Sequence, residues 1–179
     1  SALPTELPDH FEASTLIKFM FEKSMINYAL AAIISLAATN GAFAAGWEYY
    51  YRKGTIQFEG GLNRSATENL ERSLEIKPAL YDAANKIAAI LIAGNKKRRA
   101  LDYLERSLEI KPDQAEIHVS AGDIRDFFGY REKAFEHYQS AVRADPSNVE
   151  AHFRLVRYYA ERRDTANADR HFAAAYAIG

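Results

Sequence analysis

The nine residues LERSLEIKP occur twice without change, at 70–78 and 104–112, a separation of 34 residues. Chance does not produce that in a chain of 179 residues, so the sequence contains a duplicated unit. Pro78, Pro112 and Pro146 keep the same spacing. With each proline counted as unit position 32, the units run 47–80, 81–114, 115–148 and 149–179. Other positions then fall into line. Position 20 is Ala66, Ala100, Ala134 and Ala168, and position 24 is Leu70, Leu104, Tyr138 and Phe172. Position 8 is Gly54, Ala88 and Gly122, with Val156 the exception, and position 15 is Gly61, Asn95, Gly129 and then Arg163.

This pattern has a direct physical meaning. Two helices approach closely only where the side chains between them are small, which accounts for positions 8 and 20. Residues three and four apart share a helix face, so positions 20, 24 and 27 form one buried stripe. Gly or Asn at position 15 suits the left-handed conformation that closes a helix. Proline at 32 cannot continue a helix and restricts the residue before it. Each unit therefore reads as helix A over positions 1–14, a turn, helix B over 17–30, and a stop. LERSLEIKP is the buried stripe, solvent face and stop of helix B, and nothing in it requires catalysis.

With these residues in place, the chain resembles the tetratricopeptide repeat (TPR) family, whose period and small/large/proline pattern it reproduces over 47–179. Position 4 departs from the family, which prefers an aromatic there. Tyr50 fits, but Ala84, His118 and His152 do not. The resemblance implies an all-α, right-handed α-solenoid of about four helix-turn-helix units. It also implies binding of peptides or partner helices along a concave face lined by helix A. The lining positions 2, 5, 9 and 12 supply Tyr51, Phe58, Asn85, Ile92, Asp123, Asp126, Phe153 and Arg157 as partner-binding candidates. The Lys/Asn carboxylate clamp of the chaperone-binding members is missing: those places hold Tyr51 and Thr55, then Asn85 and Ala89. An extended or helical protein segment with apolar anchors and a basic residue suits this lining. The competing expectation is that the aromatics simply pack on neighbouring helices. On the last helix B, Phe172 and Tyr176 continue the buried stripe and form a second docking candidate.

Position 2 is acidic in every unit (Glu48, Asp82, Glu116, Glu150). A carboxylate in the first turn of a helix gains about 0.3–1 kcal/mol from the helix dipole, which explains all four without a ligand. His118 and His152 share position 4, and His137 and His171 share position 23. Equivalent positions of successive units lie a helix pair apart, too far to share an ion, so no metal site is expected. The chain has no cysteine, hence no thiol nucleophile or Cys-based zinc site. It has no phosphate-binding glycine loop, no His-Glu-x-x-His and no Ser nucleophile motif. A non-enzymatic scaffold follows, with no catalytic residue, cofactor or small-molecule substrate. The 23 Lys and Arg balance 24 Asp and Glu, which gives no general attraction for nucleic acid.

Residues before 47 do not obey the period. Residues 1–23 read as an extended lead-in and an amphipathic helix. Residues 24–46 carry no charge, enough length for a helix to cross a hydrocarbon core of about 30 Å. Trp47 and Tyr49 to Tyr51 at its far end match an interfacial aromatic belt. The segment is therefore expected to be a membrane anchor, with the repeats on the exported (periplasmic) side as an accessory or assembly subunit of a membrane complex. Two alternatives stay open: a cleavable export signal, and a soluble helical cap on a cytoplasmic TPR adaptor or chaperone that binds an apolar client segment.

Overall fold

The computed structural model describes residues 46–178. They form eight helices: α1 (Trp47–Glu59), α2 (Asn63–Ile76), α3 (Tyr81–Ala93), α4 (Lys97–Ile110), α5 (Ala115–Phe127), α6 (Arg131–Ala144), α7 (Val149–Glu161) and α8 (Thr165–Ile178). Each unit is one antiparallel pair, α1/α2 to α7/α8, and each pair packs on the next. Helix B occupies positions 17–30 in all four units, as the sequence predicts, and helix A stops one residue earlier than expected. The lead-in over 1–23 and the apolar segment over 24–46 lie outside the described residues, Gly46 apart. Among the described residues, no helix is long and apolar enough to cross a membrane.

The turn between helices is the same device four times. Position 15 takes positive φ in every unit: Gly61 (70°), Asn95 (55°), Gly129 (83°) and Arg163 (60°). The N–H of the following residue bonds back five residues, Leu62 to Gln57 (2.8 Å), Lys96 to Leu91 (2.7 Å), Tyr130 to Arg125 (2.9 Å) and Asp164 to Tyr159 (3.0 Å). The position-15 N–H bonds back three residues in each case. Together these bonds satisfy the last carbonyls of helix A in a Schellman arrangement. Arg163 adopts this left-handed geometry despite its Cβ, which glycine would avoid.

Within a unit, position 24 rests on position 8. A Cβ added to Gly54 would lie 2.7 Å from Leu70 Cγ, and one added to Gly122 would lie 2.5 Å from Tyr138 Cε1. The intermediate case is Ala88 beneath Leu104, both buried. In the fourth unit, valine (Val156) stands at position 8, and Phe172 at position 24 is 53 % exposed. The apolar core is continuous from Ala66 through Ile124. Beyond it lie two small clusters, around Val119, Ala141 and Ala151 and around Tyr138 and Leu155. Polar contacts take over where the apolar core thins.

A candidate protein-binding face on the A helices

Successive A helices touch, α1 with α3 and α5 with α7, which places them on the inner side of the array. Residues on that face pair across units by a simple rule. Position n of one unit meets position n−3 of the next, so partners lie 31 residues apart. Tyr51 donates its hydroxyl to Asp82, which also accepts from Lys86 Nζ at 2.7 Å. Asp123 accepts two bonds from Arg154, from Nε at 2.6 Å and from Nη2 at 3.0 Å. Arg157 Nη2 donates to Asp126 at 2.5 Å.

These bonds set the electrostatics of the face. Burial disfavours ionisation of Asp82, but the bonds from Lys86 and Tyr51 outweigh it and hold the carboxyl below its ordinary range. Burial of Tyr51, reinforced by its bond to Asp82, pushes the phenol upward. Burial, then the charge of Asp123, raises the Tyr138 phenol too, and its hydroxyl donates to Asp123 at 2.9 Å. Arg154 also bridges back to Glu150 at 2.5 Å.

The predicted site residues therefore divide. Tyr51 and Phe58 are half-buried against the core, the packing role that was the alternative expectation. Asn85 donates at 2.8 Å to Oε1 of Gln114, the last residue of its own unit and the one that precedes α5. Asp123 and Asp126 are each held by an arginine, so neither stands as an open acidic spot for a basic ligand residue. Ile92 and Phe153 are exposed on this face, at 37 % and 45 %. Arg157 is half-exposed beside them in sequence position 9. At the far end, Phe172 is exposed and Tyr176 is 82 % exposed. Sequence reasoning missed Lys86 and Arg154 at position 6. The signal was present: acids at positions 2 and 9 recur one period less a helical turn from a tyrosine or an arginine.

The histidines also pair, but not as equivalents in successive units. Position 4 of helix A meets position 23 of helix B inside one unit. His118 Nδ1 lies 3.2 Å from His137 Nδ1, and His152 Nδ1 lies 3.0 Å from His171 Nδ1. Their ring centroids are 5.5 Å and 5.2 Å apart and the rings are tilted by 47° and 45°, with nitrogen facing nitrogen. Among the described residues, no group of three or more His, Asp or Glu side chains could hold a metal ion.

The tetratricopeptide repeat profile matches residues 48–80. No curated protein sequence matches the chain. A crystal structure of MamA superposes with a TM-score of 0.73, at 20 % identity over 87 % of this chain and 90 % of that one. MamA, from residue 41 to its end, of Desulfovibrio magneticus RS-1 gives 0.69 at 21 % identity, covering 92 % of both chains. YrrB, described as a TPR protein with an unusual peptide-binding site, gives 0.68 at 18 % identity over 90 % of this chain and 81 % of that one. The period, the four Schellman turns, the profile match and these superpositions agree: residues 48–80 match a tetratricopeptide repeat, and the four helix pairs have the tetratricopeptide-type fold, similar in structure to MamA and YrrB.

Proposed function

We propose that the chain is a non-enzymatic scaffold whose A-helix face takes a segment of a partner protein. The observation that carries this reading is the exposure of Ile92 and Phe153 on a face where Asp82, Asp123 and Asp126 are each paired with a cation. Large apolar side chains left out on a rigid floor are what an incoming apolar anchor needs. With Asp123 and Asp126 already neutralised, the favoured ligand is a segment with apolar anchors, and a basic residue is not required. The structural likeness to YrrB, a TPR protein with an unusual peptide-binding site, supports a peptide-binding use of this fold here.

The test is site-specific photo-crosslinking in the native source. A crosslinker at Phe153 should capture a defined partner, and one at exposed Glu109 near the far end of α4 should not. Capture from neither place, or equally from both, would overturn the reading.

Two further features enter this proposal. The uncharged stretch 24–46 supports tethering to a membrane with the repeats exported, and release of the full chain without detergent would favour the soluble adaptor instead. The exposed Phe172, Tyr176 and Ile178 support a second docking surface on α8.

A further inference from the structure

Two repeat positions on the turn edge, away from the A-helix face, break the pattern in the same place. Lys96-Lys97-Arg98-Arg99 is the longest run of like charge in the chain, and it fills the first turn of α4. That turn has no acidic residue and no side-chain cap, so four cations face the positive end of the helix dipole. The corresponding turns are built otherwise. In α2, Arg64 is paired with Glu68; α6 carries Glu132; and before α8, Asp164 accepts from the Asn167 N–H. The second break is Phe127 at position 13, where the other units have Glu59, Ala93 and Glu161. Phe127 is 65 % exposed, and Tyr130 beside it is 56 % exposed.

The two breaks meet in space. Lys97 Nζ lies 4.7 Å from the Phe127 ring centroid, and the Arg98 guanidinium lies 5.4 Å from that of Phe128. Between them is a cleft of about 300 Å³, with Asn95 and the run 96–99 on one side and the two phenylalanines on the other. Among the described residues, no carboxylate lines it. Among the described residues, only Arg99 of the run has an acidic partner, exposed Glu71 at 3.5 Å. Charges that oppose their own helix, beside an exposed ring, are a local cost that folding does not explain.

We infer that this cleft docks a short acidic segment of a partner protein, with carboxylates on Lys96, Lys97 and Arg98 and one apolar side chain against Phe127. The chemistry selects among anions. The basic strip is one helical turn long with Glu68 and Glu71 nearby, which suits a few carboxylates better than a phosphate track. The site is concave and one face of Phe127 is covered by Lys97, whereas a bilayer surface calls for a protruding ring.

The experiment uses the full chain and a fluorescein-labelled dodecapeptide with two Glu-Asp pairs flanking one leucine, read by anisotropy. A Gln/Asn version of the peptide, phosphatidylserine vesicles and a duplex oligonucleotide are the comparisons. The acidic peptide should bind in a salt-sensitive way, and the amide version should not. Lys97→Glu/Arg98→Glu should weaken binding by at least about tenfold, and Phe127→Ala by about threefold or more. Acids in that first turn favour the helix, so the double variant should melt no lower than wild type. This separates lost binding from lost folding. Absence of peptide binding up to millimolar concentration, binding indifferent to both variants, or preference for vesicles or duplex would each overturn the inference.

Discussion

His118 and His137 meet nitrogen to nitrogen at 3.2 Å, and the proton between them is assigned by a third atom. His118 Nε2 lies 3.0 Å from the carbonyl oxygen of Pro112, which can only accept, so Nε2 carries the hydrogen. In the neutral ring Nδ1 is then bare and accepts from His137 Nδ1–H. His152 repeats the arrangement, with Pro146 O at 3.1 Å and His171 as donor. Protonating both rings of a pair would set N–H against N–H.

That geometry predicts acid lability in the last two units. Burial lowers the affinity of His118, His137 and His171 for a proton, and the partner imidazole adds to this for His137 and His171. Arg143 and Asp113 face His118; Arg125, Glu105 and Glu136 face His137; Arg170 faces His171. The sign follows. Below the ordinary histidine value of about 6.5, the unfolded chain binds protons that the folded chain refuses. Stability should be full above that pH and fall as the pH drops through it. Melting temperatures across this range should decline toward acid, and His137→Asn with His171→Asn should flatten the decline. An unchanged slope in the double variant would remove the pairs as its cause.

Gly122 is irreplaceable for a reason that can be reversed. Its missing Cβ is the place of Tyr138 Cε1, and Tyr138 cannot swing away while its hydroxyl is bound to Asp123. Gly122→Ala should cost about 1–3 kcal/mol by overpacking. Adding Tyr138→Leu recreates the Ala88/Leu104 pair of the second unit, and part of the loss should return in denaturant melts.

Arg163 holds φ at 60°, where the first and third units use glycine. Arg163→Gly removes a left-handed strain of about 1–2 kcal/mol but adds flexibility to the unfolded chain. The net expectation is a gain of about 0.5–1 kcal/mol in thermal or urea unfolding. A loss would show that the arginine side chain contributes something its exposed position does not reveal.

The sequence made one kind of neighbour visible and hid another. A single period of 34 exposed the helix bounds, the left-handed turns and the small residues at positions 8 and 20, since each lies inside one unit, while the seat of position 24 on position 8 is visible only in the structure. Val156 breaks the same period, and Phe172 at position 24 of that unit is exposed where its equivalents Leu70, Leu104 and Tyr138 are buried. The charged pairs Asp123–Arg154 and Asp126–Arg157 were hidden because a position-by-position reading compares equivalents, whereas stacked helices bring together positions three apart. The histidine pairs escaped for the complementary reason. Positions 4 and 23 face each other within a unit, a meeting that the likeness of equivalent positions does not reveal.

The pairing rule itself is testable by a double-mutant cycle. Asp123 and Arg154 are partly buried, with side chains 38 % and 28 % exposed, and share two bonds. Asp123→Ala and Arg154→Ala should show a coupling of about 1–2 kcal/mol. Arg64 and Glu68, far more exposed at 93 % and 63 %, should show about 0–0.5 kcal/mol. Equal couplings would mean that the inter-unit bonds on the A-helix face do not stiffen the array.

Position 28 offers the sharpest contrast between core and surface in one repeat. Leu74 occupies it in the first unit and is 3 % exposed, and Tyr176 occupies it in the fourth and is 82 % exposed. The same substitution should therefore read out opposite properties. Leu74→Glu places an unpaired carboxylate in the continuous core and should unfold the first two units, since a charge without a partner is not tolerated there. Tyr176→Glu should shift stability by no more than about 0.5 kcal/mol, as surface changes do. If α8 docks a partner or a second copy, Tyr176→Glu should abolish that association, measured by sedimentation velocity or co-purification, with the melting temperature intact. Association unchanged in this variant would leave Phe172 and Tyr176 without a docking role. A collapse in stability would mean that the ring is part of the last helix pair after all.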